Sequence, residues 1–197
     1  ETQDGSAFAE RTRSLAYMTP AGPGKLYKEG FIFGVCIPGW YDRKIFPQEA
    51  ETAALCGASA LRLNFRWREL ERTPGVWNTE TLDFLLGEYE KRGVELMPIL
   101  SNPPVWARKQ KNVPNSQPDH EEWRKYVRYF FQNYGSRIRY WEIWNEPDTY
   151  SFCDFNAPEY IELQRIAREE QQKHAPAAKM LTGGFAHARP QYNKKGF

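Results

Sequence analysis

Two patterns exchange regularly along this chain, and that exchange limits its fold more than any other feature. Short, continuous apolar runs alternate with longer runs whose apolar residues recur at helical spacing. Phe31-Ile32-Phe33-Gly34-Val35-Cys36 is the first apolar run, and it suits a strand buried on both faces. Ala60-Leu61-Arg62-Leu63-Asn64, Val94 to Leu100, Ile138 to Trp144 and Lys179 to Gly183 follow as strand candidates. Between them lie four predicted helices. The first runs from Pro47 to Leu55, with Pro47 in its first turn and Gly57 as its stop. The second spans Thr79 to Arg92, with Leu82, Leu85, Leu86 and Tyr89 on one face and Gly93 in the left-handed position that ends it. Asp119 and Glu122 form a capping-box pattern ahead of a third helix. That helix carries Trp123, Tyr126, Val127, Phe130, Phe131 and Tyr134, and Gly135 stops it. Asn156, Pro158 and Glu159 start a fourth, which runs to about Lys173.

Strand-helix units repeated at roughly 30–45 residues imply right-handed crossovers and a parallel sheet. Two α/β architectures build such a sheet: the doubly wound open sheet and the (β/α)₈ TIM barrel. A doubly wound fold offers a glycine-rich first turn for phosphate. Here the first strand is followed by Pro38-Gly39-Trp40-Tyr41-Asp42, which is no phosphate cradle, so a nucleotide-binding domain is disfavoured. The barrel predicts polar and aromatic residues just past the strand C-termini. They recur strand after strand: Trp40; Asn64 with Arg66 and Trp67; Asn102 with Trp106; Asn145 with Glu146. A whole barrel takes about 250 residues. In 197 residues there is room for five strand-helix units after a polar leader over 1–30. The expectation is therefore the N-terminal portion of a barrel over 31–197, completed by something outside this sequence, because an open barrel exposes apolar inner surface and unpaired edges.

Composition excludes some partners. With 27 basic and 25 acidic residues, no basic footprint for nucleic acid is visible. The run Arg108-Lys109-Gln110-Lys111 reads as a solvated loop. No apolar run approaches the roughly 20 residues that span a bilayer, and no secretory signal opens the chain. Three cysteines, Cys36, Cys56 and Cys153, cannot all pair, and none has metal-site spacing. Cys36 and Cys56 are expected to be buried thiols. Aromatic residues make 15% of the chain, enough to serve a core, a set of sugar-stacking platforms, or both. His120 and His187 read as surface or satisfied core residues.

The segment that carries chemistry is Tyr140-Trp141-Glu142-Ile143-Trp144-Asn145-Glu146-Pro147-Asp148. Strand alternation puts Trp141, Ile143 and Asn145 on one side and Glu142, Trp144 and Glu146 on the other. Near a strand end the alternation loosens, so Asn145 and Glu146 are both candidates to line the opening. Pro147 then stops the strand. A carboxylate fixed there among tryptophans is a place where desolvation raises a pKa, as a general acid near neutral pH requires.

Trp-Asn-Glu-Pro closing a fourth strand resembles the clan A retaining glycoside hydrolases. It is most similar to the family 39 β-xylosidase and iduronidase group, with the cellulase-like family 5 enzymes as relatives. Supporting stretches are Arg62, expected to end the second strand; Arg66-Trp67 with Glu71-Arg72-Thr73-Pro74-Gly75-Val76-Trp77-Asn78; and Gly93 to Leu100 with Pro103-Pro104-Val105-Trp106. Together the likeness covers roughly Phe31 to Gly184.

The resemblance implies hydrolysis of O-glycosyl bonds in β-linked oligo- or polysaccharides by double displacement, without metal or cofactor, in an extracellular or periplasmic protein. It implies Glu146 as acid/base, Asn145 as the contact to the sugar 2-hydroxyl, and Arg62 as support for the nucleophile's site. Trp40, Trp67, Asn102, Trp106 and Trp144 are the substrate-binding candidates, each tryptophan being equally a candidate for the core. The family's nucleophile, a glutamate ending the seventh strand, has no counterpart here. Glu142 is expected to lie too deep in its strand to substitute, and nothing supports Asp148. A non-catalytic carbohydrate-binding or scaffold barrel, completed by another chain, is the alternative. The sugar itself is not specified by these residues.

Overall fold

The computed structural model describes residues 32–37 and 43–186. The expected leader, Phe31, Trp40 and His187 lie outside the described residues.

Five parallel strands form one sheet in the order β1-β2-β3-β4-β5. They are β1 (Gly34–Cys36), β2 (Ala60–Arg66), β3 (Glu95–Ser101), β4 (Tyr140–Ile143) and β5 (Lys179–Thr182). Helices connect them: α1 (Phe46–Leu55), a short α2 (Trp67–Leu70), α3 (Glu80–Glu90), α4 (His120–Tyr134) and α5 (Ala157–His174). Spatial order equals chain order, with every pair parallel. Right-handed crossovers that always advance in one direction put all the helices on one face. A doubly wound sheet would reverse its order at a switch point. This is the wall of a (β/α)₈ barrel, five units long among the described residues, with β1 and β5 at its edges.

The predicted helix starts and stops follow from local chemistry. The Asp119 carboxylate accepts from the backbone N–H groups of Glu121 and Glu122 at 2.9 and 3.2 Å, capping α4. The full reciprocal box forms at α5, where Asn156 accepts from the Glu159 N–H at 3.0 Å and the Glu159 carboxylate accepts from the Asn156 N–H at 2.8 Å. Gly93 takes a left-handed φ of 72°, as its stop position requires. Pro98 has no N–H to give, and the β3–β4 ladder begins one residue later at Ile99.

On the helix side of the sheet Leu61, Leu63, Phe65, Leu96, Leu100, Trp141 and Ile143 are buried beneath α3, α4 and α5. Phe65 and Trp141 meet Phe130 of α4 at ring-centroid distances of 5.7 and 6.2 Å. The Tyr126 hydroxyl donates to the Phe65 carbonyl at 2.7 Å, tying α4 to β2. By alternation the other face carries Arg62, Asn64 and Arg66 from β2, Ile99 and Ser101 from β3, and Glu142 from β4. That inner face is mixed: Met97, Ile99 and Leu181 share it with the polar and charged residues.

The cysteine expectation is corrected. Cys36 is exposed and Cys56 half-buried, because β1 and the end of α1 sit at the sheet edge, while Cys153 is the buried thiol.

Candidate active site

The inner face centres on an ion pair between a buried carboxylate and a partly exposed guanidinium. Glu142 is 3% exposed. Its carboxylate accepts from Arg62 twice, from Nε at 2.6 Å and from Nη2 at 2.7 Å. A charged residue in a buried strand needs such a partner. Hydrogen bonding to Glu142 holds the Arg62 guanidinium above its already high ordinary value, against the opposing effect of burial. Arg62 also donates from Nη2 to Asn145 Oδ1 at 2.8 Å and lies 3.7 Å from the Cys36 sulfur through Nη1. The Gly184 N–H gives Glu142 its third donor at 2.8 Å.

Asn145 and Glu146 follow at the C-terminal rim. Strand alternation fails here for a definite reason. Trp144 has a left-handed φ of 68°, and Glu146 has one of 44°. The first left-handed turn rotates Trp144 into the helix layer, where it is 1% exposed. It meets Trp123 at 6.2 Å and Phe155 at 5.0 Å, and its indole N–H donates to the Phe152 carbonyl at 3.0 Å. The same turn brings Asn145 round to Arg62. Asn145 thus lies with Glu142, not with Trp141 and Ile143 as alternation predicts. Glu146 is half-buried. Its N–H donates to the Gly184 carbonyl at 2.9 Å, and its own carbonyl accepts from the Thr149 N–H at 3.1 Å. Among the described residues its carboxylate accepts no hydrogen bond.

A second polar group occupies the rim beside it. Asn64 Nδ2 donates to Asn102 Oδ1 at 3.0 Å, and the Ser101 hydroxyl lies 2.8 and 2.9 Å from the amide oxygens of Asn64 and Asn102. Asn102 is itself left-handed, with φ 56°.

Arg62 lies inside β2, which runs on to Arg66, and is not its last residue; its side chain reaches Asn145, next to Glu146 just past the end of β4, with Asn102 just past the end of the neighbouring β3. Two of the expected sugar platforms lie elsewhere. Trp67 is fully buried, stacked on Tyr126 at 4.4 Å, with its indole N–H donating to Glu71 at 2.6 Å. Trp144 is in the core, as described. Both are large apolar rings at the base of helix-facing turns, and the helix layer takes them. Trp106 is half-buried, edge-on to Trp67 at 5.7 Å, and donates to the Arg72 carbonyl at 3.1 Å. The tryptophan ring expected around Glu146 is not formed by Trp67 or Trp144.

Four residues escape a reading from sequence. Glu142 is set aside there as too deep, although a lone charge inside an apolar strand is itself a signal of a buried partner. Gly183 and Gly184 carry the loop after β5, and their adjacent glycines are the only hint. Phe185, 54% exposed, sits between Gly184 and Ala186, whose N–H donates to Asp148 at 3.0 Å. Among the described residues no group of three or more His, Cys, Asp or Glu side chains could hold a metal. No described helix is long and apolar enough to cross a membrane.

No protein-family model matches the chain, and no curated protein matches it by sequence. Solved structures do match it by fold. A family 39 glycoside hydrolase from Bacteroides cellulosilyticus WH2 aligns with TM-score 0.62 and 19% identity, over 77% of this chain and 31% of that one. The family 1 β-glucosidase from Thermotoga maritima gives 0.61 and 16%, over 79% of this chain and 48% of its own. The exo-β-1,4-mannosidase Op5Man5 from Opitutaceae bacterium strain TAV5 gives 0.66 and 17%, over 86% and 35%. The chain thus spans less than half of each of these glycoside hydrolases. At such identities the likeness concerns the fold: a partial (β/α)₈ barrel of the kind found in glycosidases.

Proposed function

We propose that this chain carries the acid/base side of a retaining β-glycosidase site, with Glu146 as the proton donor. The observation that carries this reading is the placement of Asn145 and Glu146 at the strand C-termini, where barrel enzymes hold their chemistry. Asn145 is fixed there by Arg62. In this reading Glu146 protonates the departing glycosidic oxygen and later removes a proton from the incoming water. The Asn145 amide meets the hydroxyl next to the reacting carbon, and Asn102 and Trp106 border the sugar. A second carboxylate about 5–5.5 Å from the first must attack the anomeric carbon. Glu142 does not serve, because both its oxygens are committed to Arg62 and Gly184. The nucleophile comes from further strand-helix units that close the sheet between β5 and β1. β-Linked oligo- or polysaccharide is the substrate class, and extracellular or periplasmic breakdown of such material is the setting that suits it.

The test uses protein that includes the units closing the barrel, with aryl β-glycosides of graded leaving group. Glu146→Gln is expected to lower kcat by about 10²–10⁴-fold for poor leaving groups and far less for good ones, with retention of anomeric configuration in the product. Inversion, or an unchanged rate in Glu146→Gln, overturns the assignment. Sugar binding by calorimetry with no turnover supports instead a non-catalytic carbohydrate-binding barrel.

A further inference from the structure

We propose that Glu142 is a positioning residue that aligns Asn145 and Glu146 by two separate routes, an inference that rests on the reading of those two as the sugar-facing pair.

The first route runs through Arg62. The two-point contact of 2.6 and 2.7 Å fixes the plane of the guanidinium, and Nη2 then donates to Asn145 Oδ1 at 2.8 Å. Arginine has donors only, so the Asn145 amide must turn its oxygen toward Arg62. Its NH₂ end is left over, and among the described residues it makes no hydrogen bond. Amide orientation is thereby decided before any ligand arrives: the free end is a donor, suited to a sugar hydroxyl oxygen and not to a hydroxyl hydrogen.

The second route runs through one peptide unit on each side of Gly184. Its N–H donates to Glu142 Oε1 at 2.8 Å, and its carbonyl accepts from the Glu146 N–H at 2.9 Å. Glu146 stands at φ 44°, a left-handed position that a residue with a side chain holds only when its surroundings enforce it. The hydrogen bond from its own N–H to Gly184 is part of that enforcement, and Gly184 is in turn held by Glu142. One buried carboxylate therefore sets both the Asn145 amide and the backbone of Glu146, from the face of β4 that turns away from the helices.

Backbone and side-chain amide signals of the full chain test this without any substrate, so the outcome is separate from that of the hydrolysis assay. In Glu142→Gln, hydrogen exchange at the Glu146 N–H is expected to speed by at least about tenfold, and the Asn145 side-chain NH₂ resonances to shift, while amides in the middle of α4 keep their wild-type rates. Arg62→Lys separates the routes: the Asn145 resonances shift while the Glu146 N–H stays protected through Gly184. Wild-type exchange at Glu146 in folded Glu142→Gln overturns the proposal. So does a uniform acceleration across β4 and α4, which marks a merely structural ion pair. If Glu142→Gln does not fold, Arg62→Lys alone decides the first route, and unshifted Asn145 signals in it overturn the proposal.

Discussion

A Cβ placed on Gly183 would lie 2.7 Å from the carbonyl oxygen of Trp144 and 3.0 Å from that of Ile143. The loop leaving β5 thus presses directly on the left-handed turn that orients Asn145 and Glu146. Gly183→Ala is expected to cost about 1–3 kcal/mol of stability, because the neighbours that must yield are backbone atoms. Urea unfolding checks the cost. In protein with a closed barrel, kcat for β-glycosides is expected to fall with it, since Glu146 moves. An alanine variant as stable and active as the wild type would mean that the turn gives way freely.

Tyr160 joins the same two strands from the helix side. Its hydroxyl donates to the Ile143 carbonyl at 2.8 Å, accepts from the Gly183 N–H at 2.7 Å, and lies 2.6 Å from Gln164 Nε2. Burial pushes the phenol up from its ordinary value. Tyr160→Phe keeps the ring and leaves a buried N–H without an acceptor. The expected loss is about 1–3 kcal/mol, with hydrogen exchange at the Gly183 N–H accelerated more than at α5 amides. Equal protection at Gly183 in both proteins would show that the hydroxyl contributes nothing there.

Trp67 is assigned to the core by its stack on Tyr126 and its 2.6 Å bond to Glu71. Trp67→Phe removes ring volume and the donor, and is expected to cost about 2–4 kcal/mol. Affinity for a sugar ligand, read by calorimetry below the unfolding range, should not change. A loss of affinity without a loss of stability would restore Trp67 as a sugar platform.

Glu170 on α5 gives an acid-range prediction. Burial opposes its ionisation, but hydrogen bonds from Arg128 and Arg124, at 2.7 and 3.0 Å, outweigh this and bring the carboxyl down from 4.5 to about 2. The folded form releases this proton more readily than the unfolded form, so the unfolded chain gains it first as pH falls. The stabilisation is complete above about pH 4.5 and is lost as pH drops toward 2. It is on the order of 2 kcal/mol, allowing for solvent around the two arginines. Urea midpoints between pH 2 and 6 should therefore be flatter in Glu170→Gln than in the wild type. Identical slopes would remove Glu170 from the acid response.

Much of the wall was legible in the residues alone. Each apolar run from Ala60 onward became a strand, and Asp119 and Asn156 cap the helices they were expected to cap. Local chemistry governs these features: a capping carboxylate needs only the next three residues. Strand four was shorter than its apolar pattern, ending at Ile143 instead of Trp144, because the left-handed turn at Trp144 takes that residue out of the ladder. In the same way Trp67 and Trp144 could not be assigned between core and opening. A tryptophan satisfies either place, and only neighbours from distant helices decide.

The sequence by itself determined the kind and order of the elements, since period, caps and breakers act over a few residues. It also placed Asn145 and Glu146 at a strand end, because Pro147 follows at once. Only tertiary structure decided which way those side chains turn and what holds them. Arg62 and Glu142 are 80 residues apart, and Glu146 reaches Gly184 across the β4–β5 junction. No short-range rule pairs such groups; their meeting depends on parallel register and on two left-handed residues that the packed chain, not the local peptide, keeps in place.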